Sequence, residues 1–326
     1  MKKLFAQIAL TVAGFSGVLF AQQDPQFTQF MFNKLIYNPG YAGTSGGVCG
    51  VAQFRQQWVN FNGAPTTMAF SGDMKLTNLP LGVGVNIIND KIGAMNTFFL
   101  RFAGSYNIKI GDGNLGLGLD LGIQQKQINN NWIAPEPLKY DPTIPGSTPS
   151  FTNPNFGKVS YDMGAGAFYQ IPKKFYVGLS STHLPSQTIK EKSVGKEELN
   201  FKVMRHYYFM TGANLVATPW LSVCPNILFK SDGRSSSLDA NLNLMWFDMA
   251  WVGATYRVND AASLLLGYQG KAMASSALVY KIGYSYDFPT STIKKYTSGT
   301  HEIILGVCYT PKVKKITTYA NDRFLD

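Results

Sequence analysis

Few residues in this chain of 326 are placed to do covalent chemistry. Its histidines are His183, His206 and His301, and none is paired at a metal-ligand spacing. No H-E-x-x-H run is present to hold a catalytic zinc. Gly111-Asp112-Gly113-Asn114-Leu115-Gly116 fits the G-x-G-x-x-G spacing of a dinucleotide loop. That chemistry needs a helix next, so that its N-terminus faces the pyrophosphate. The residues after Gly116 instead alternate strictly with a period of two, and the run reads as a hairpin turn. Cys49, Cys224 and Cys308 form an odd set. These residues predict no catalytic centre, no metal site and no organic cofactor, and a function carried by binding.

The elements that would position any site are read from the period of the apolar residues. From about residue 48 onward that period is two. Leu115, Leu117, Leu119, Leu121 and Ile123 alternate with Gly116, Gly118, Asp120, Gly122 and Gln124. Leu278, Tyr280, Ile282, Tyr284 and Tyr286 alternate with Val279, Lys281, Gly283 and Ser285. Fourteen such segments are predicted: 49–57, 66–74, 81–89, 97–110, 114–128, 160–170, 175–183, 207–216, 221–230, 237–246, 250–258, 261–269, 277–286 and 302–309. Most have the length a tilted strand needs to cross a bilayer, and their number is even. Connections after even-numbered segments are short, whereas 129–159, 184–206 and 287–301 are long. This predicts an all-β fold: a 14-stranded antiparallel transmembrane β-barrel with short periplasmic turns and long extracellular loops. A soluble β-sandwich also alternates, but it gives no reason for the loop asymmetry or for polar residues on every other face. Hydrocarbon offers backbone groups no partner, so a spanning sheet has to close on itself.

The ends read differently. Residues 1–21 have a basic start, an apolar run and a small residue at Ala21, the pattern of a secretory signal peptide. Residues 22–46 are rich in aromatics and amides and are expected to enter the lumen or lie against the periplasmic rim. The barrel is expected over 47–309, and 310–326 forms a basic periplasmic tail with Lys312, Lys314, Lys315 and Arg323. Lumen-facing charges by phase are Arg55, Arg101, Lys109, Asp120, Asp162, Asp239 and Lys281. They would line an open channel or pair within a filled one. Barrel closure sets Cys49 beside Cys308 at one rim, where they either bond or stand as small unpaired residues. The formal charge of +10 comes with no recognisable nucleic-acid motif, so it is assigned to anionic lipid headgroups or a protein partner.

Several runs resemble one known family. Asp24-Pro25-Gln26-Phe27-Thr28-Gln29-Phe30 and Asn38-Pro39-Gly40-Tyr41-Ala42-Gly43 resemble the mature start of the PorP/SprF family, part of the type IX secretion and gliding machinery of Bacteroidetes. Arg55-Gln56-Gln57-Trp58 with Gly63-Ala64-Pro65, then Asn89-Asp90-Lys91-Ile92-Gly93, are similar to its next signatures. Lys281 to Asp287 and Ser298-Gly299-Thr300-His301-Glu302-Ile303 are similar to its closing ones. Gly40 departs from the pattern, where alanine is more usual. The resemblance implies an integral outer-membrane component without catalytic residues or cofactors. It implies a role in secretion or surface attachment of a cargo protein, with periplasmic ring or lipoprotein subunits as partners. Asp24, Pro25, Phe27, Gln29, Phe30, Asn38, Pro39 and Tyr41 become the candidate partner-binding or lumen-plugging residues. The rival expectation is a passive porin.

Overall fold

The computed structural model describes residues 24–76, 79–128, 156–192, 198–272 and 277–310. The signal segment, most of loop 129–159 and all but the first residue of the tail 310–326 lie outside them. Strands in chain order are β1 (Val48–Gln56), β2 (Thr66–Lys75), β3 (Leu81–Ile92), β4 (Met95–Ile110), β5 (Gly113–Ile128) and β6 (Phe156–Ile171). Then come β7 (Phe175–Thr182), β8 (Thr188–Lys192), β9 (Glu198–Lys202), β10 (His206–Ala213), β11 (Leu215–Thr218) and β12 (Leu221–Ser231). The last are β13 (Ser236–Trp246), β14 (Ala250–Arg257), β15 (Ala261–Lys271), β16 (Leu278–Pro289) and β17 (Thr300–Tyr309).

Antiparallel pairing runs unbroken from β1 to β7, then β7 to β10, β10 to β12, and on to β17. β17 returns to β1, so fourteen strands close a barrel. The segment expected as one strand over 207–216 is interrupted at Asn214, with β11 carrying on along β12. The connection expected as a bare loop over 184–206 contains the separate hairpin β8–β9.

Alternation has its physical cause in the two environments of the wall. Leu119 and Leu121 are 66% and 57% exposed while Asp120 between them is 4% exposed. Phe102, Leu117, Leu264, Leu266, Ile282, Leu305 and Val307 share that outer exposure around the ring. A soluble protein rarely leaves so continuous an apolar surface in water, whereas a bilayer covers it. The polar half of the period faces inward and is buried, although a barrel of this girth has no side-chain core of its own. The N-terminal segment is what buries it. Residues 30–32, 34–36 and 39–41 form three 3-10 turns inside the lumen. Phe27, Phe30, Met31, Ile36 and Tyr37 pack there with Phe99, Phe168, Tyr208, Met210, Leu228 and Leu265 from the wall.

Candidate functional site

The luminal segment touches eleven of the fourteen strands by hydrogen bond, ring contact or backbone approach. It is held at three places, each built from residues distant in sequence.

The first lies at the β1–β17 seam. Antiparallel register sets Arg55 opposite Glu302. Arg55 Nη2 lies 2.7 Å from Asp287 Oδ2, and Nη1 lies 2.9 Å from Glu302 Oε2. All three side chains are at most 2% exposed. Two carboxylates outnumber one guanidinium, and the luminal segment supplies the missing donors. The Thr28 amide donates to Glu302 at 2.8 Å, the Gln29 amide at 2.9 Å, and the Thr28 hydroxyl to Asp287 at 2.8 Å. Four of the runs that carried the family resemblance thus meet here, through Thr28, Arg55, Asp287 and Glu302. A buried charge survives only when paired and hydrogen-bonded, so wall and segment depend on each other.

The second is a saddle of small residues on β5, β6 and β7. Asn38 caps the last 3-10 turn by accepting from the Gly40 amide at 2.9 Å. Its amide nitrogen donates to the carbonyls of Ala167 and Leu179 at 3.0 and 3.2 Å. Pro39 and Gly40 lie directly on the wall. A Cβ at Gly116 would collide with the Gly40 carbonyl, and one at Gly118 with Gly40 N and Pro39. An alanine at 40 would put its Cβ 2.6 Å from Gly116 O, so glycine suits this chain's closer approach. The alternate glycines of β5 therefore admit the segment rather than a phosphate.

The third joins the start of the segment to the other end of the barrel. Asp24 Oδ1 is 2.9 Å from His183 Nε2, and Asp162 Oδ1 is 3.0 Å from His183 Nδ1. The Tyr208 hydroxyl donates to Asp24 Oδ2 at 2.8 Å. Burial opposes protonation of His183, but the two carboxylates outweigh it and raise its pKa to about 9. Burial likewise opposes ionisation of Asp24, yet His183 and His206 hold its carboxyl well below the usual range.

Between these anchors, Phe32 packs on Trp251 at 4.8 Å between ring centroids. Tyr41 meets Phe168 edge-on at 5.2 Å. The end carrying the short β6–β7 and β10–β12 connections keeps an open vestibule of about 290 Å³. Lys34, Lys173, Lys174 and Lys281 are among its lining residues. Lys34 Nζ donates to the Met31 carbonyl at 2.7 Å and lies 4.6 Å from the Tyr176 ring centre. Burial, with Lys281 nearby, pulls the Lys34 amine down to about 7.

All eight candidate residues of the N-terminal segment thus lie inside the barrel, with Phe27, Gln29, Phe30 and Asn38 fully or nearly fully buried. Of the charges placed inward by phase, Arg55, Arg101, Asp120, Asp162 and Asp239 are buried. Asp239 is clamped by Lys230 and Arg257, each at 2.9 Å. Lys109 differs: it has the inward phase but sits exposed beside the 111–112 turn, because β4 reaches the rim there. Cys49 and Cys308 face each other across the seam and are joined as a disulfide, with Cys224 free. Gly43-Thr44-Ser45-Gly46-Gly47 has nucleophile-elbow spacing, but it leads into a strand and Ser45 donates to Asp73. Spacing alone missed His183 and His206, whose rings pack at 5.3 Å. It also missed Thr28, Asp287 and Glu302 as one cluster.

A family model described as type IX secretion system membrane protein PorP/SprF matches residues 19–307. No curated protein sequence matches the chain. Among solved structures, the toluene transporter TbuX of Ralstonia pickettii is similar with a TM-score of 0.51 at 12% identity, over 84% of this chain and 92% of that one. A FadL homologue of Pseudomonas aeruginosa gives 0.44 at 10% identity, over 81% of this chain and 89% of that one. The Pseudomonas putida toluene transporter TodX gives 0.43 at 10% identity, over 84% and 92%. At such identity the likeness concerns the barrel fold alone.

Proposed function

The chain belongs to the PorP/SprF family of type IX secretion system membrane proteins, and from that premise we propose that it is a non-enzymatic outer-membrane adaptor. In this reading it holds a secreted surface protein, or anchors secretion subunits, by binding and not by conduction. The observation that carries the reading is the occupied lumen. Residues 24–46 are bonded to the wall around most of its circumference, and the buried carboxylates at the seam take three of their hydrogen bonds from that segment. A passive channel would keep its inward charges wet.

Orientation rests on the usual placement of short turns in the periplasm. The basic vestibule then faces periplasmic ring or lipoprotein subunits, and the long connections face outward toward cargo. Export by the 1–21 signal and a part in gliding belong to the same proposal. The test is affinity purification of the tagged full chain from its native outer membrane in detergent, followed by mass spectrometry. Recovery with other secretion subunits or one large surface protein supports the adaptor. Recovery alone overturns it.

A further inference from the structure

Two of the three histidines are brought together at the end of the barrel opposite the basic vestibule. His183 follows β7 and His206 begins β10, next to it in the wall. Asp24, at the start of the luminal segment, reaches both, with Oδ1 2.9 Å from His183 Nε2. One donor atom from each of Asp24, His183 and His206 lies within 4.8 Å of the others. Both histidines are deeply buried, at 2% and 6% exposure.

The bonds made by the far side of each group separate this cluster from an ordinary buried ion pair. An imidazole that binds a metal through one nitrogen usually has the other fixed by a carboxylate or a backbone carbonyl. His206 Nδ1 is hydrogen-bonded to the Met204 carbonyl at 3.1 Å, and His183 Nδ1 lies 3.0 Å from Asp162 Oδ1 as an ion-pair contact without hydrogen-bond alignment. Asp24 Oδ2 is taken by the Tyr208 hydroxyl. A metal would replace the proton that Asp24 Oδ1 and His183 Nε2 now share at 2.9 Å and take His206 Nε2 as its third donor. His206 Nε2 is buried and has no hydrogen-bond partner, a costly state for a ring nitrogen.

We propose that Asp24, His183 and His206 form a site for one divalent transition-metal ion, with zinc the best fit, which pins the luminal segment to the wall. Two imidazoles and one carboxylate suit zinc and its neighbours, whereas calcium and magnesium require mostly oxygen. Tetrahedral zinc at about 2.0 Å from each donor sets the donors roughly 3.3 Å apart. Asp24 and His183 need open by only a few tenths of an ångström, and His206 closes in. A cavity of about 100 Å³ borders all three residues, giving access and room for a water as fourth ligand. Asp162 and Asp90 add negative charge around the site, against the positive charges of Arg101 and Lys126. This site stands independently of the secretion reading.

The test uses the purified full chain in detergent, stripped with a chelator, then given Zn²⁺ against a chromophoric competitor. The wild type is expected to retain one zinc per chain and to ignore Ca²⁺ and Mg²⁺. Asp162→Asn should weaken binding about 10- to 100-fold, as losing the carboxylate that orients a ligating imidazole does. His206→Gln should abolish stoichiometric binding, while His301→Ala should leave it intact. Co²⁺ in the same site should give a tetrahedral absorption spectrum that His206→Gln lacks. Circular dichroism and heat-modifiable mobility confirm that each variant is folded. If wild type and His206→Gln bind zinc equally, or if the folded wild type binds less than about one-fifth equivalent, the proposal is wrong.

Discussion

Replacing Arg55 with methionine tests how wall and luminal segment are coupled. Methionine keeps most of the stem volume and removes the charge. The structure then leaves Asp287 and Glu302, both at most 1% exposed, without the guanidinium they bond, and only Arg257 still acts on Asp287 from beyond ion-pair distance. Removing one partner of a buried pair costs about 3–5 kcal/mol, because the remaining charge is desolvated and uncompensated. Here two carboxylates lose their paired guanidinium while Arg257 and the Thr28, Gln29 and Ser263 donors remain, so a loss within that range is expected. An exposed pair would cost about 0–1 kcal/mol. The assay is equilibrium unfolding by denaturant in lipid vesicles, monitored by tryptophan fluorescence. The triple variant Arg55→Met, Asp287→Asn, Glu302→Gln removes all three charges and should recover most of the loss, since Asn and Gln still accept from Thr28 and Gln29. A loss under about 1 kcal/mol for Arg55→Met would show that the buried cluster does not couple wall and segment. So would a triple variant as unstable as the single one.

Gly118→Val places a side chain where Pro39 and Gly40 now lie and should cost about 1–3 kcal/mol by overpacking, with residues 24–46 becoming cleavable by added protease; unchanged protection would count against the saddle. Lys34 should acylate with a midpoint near pH 7, ahead of surface lysines, because burial depresses its amine. Since its pKa inside the lumen lies below the ordinary 10.5, docking of the segment is weakest below pH 7 and strengthens as pH rises toward 10.5. A labelling midpoint more than about two pH units higher would contradict this. Non-reducing peptide mapping should find Cys49 linked to Cys308 and Cys224 free. Reduction should then lower stability by about 2–5 kcal/mol, since the bond spans 259 residues. Finding three free thiols would rule out a covalent seam.

The barrel was legible because each strand needs only a local two-residue period and a turn. Predicted and observed boundaries agree closely for Thr66–Lys75 and Leu221–Ser231. The 188–192 and 198–202 hairpin left no such trace, because Lys190, Glu191 and Lys192 break any apolar alternation. Phase sets Lys109 on the inward face but carries no depth, and the residue lies exposed at the rim. The aromatic and amide content of 22–46 was compatible with either the lumen or the rim, since its partners arise only on ring closure. The Asp24–His183 contact spans 159 residues, and the Thr28–Glu302 bond 274. No spacing rule covers such pairs. The resemblance named the right runs without indicating that four of them share one buried cluster.

The most direct test of a barrel that binds rather than conducts is conductance of the purified full chain in planar bilayers. An occupied lumen predicts a silent wild type, and steady openings once residues 24–43 are deleted or Gly118→Val loosens the segment. A wild type that conducts steadily, with no change on deletion, would contradict it.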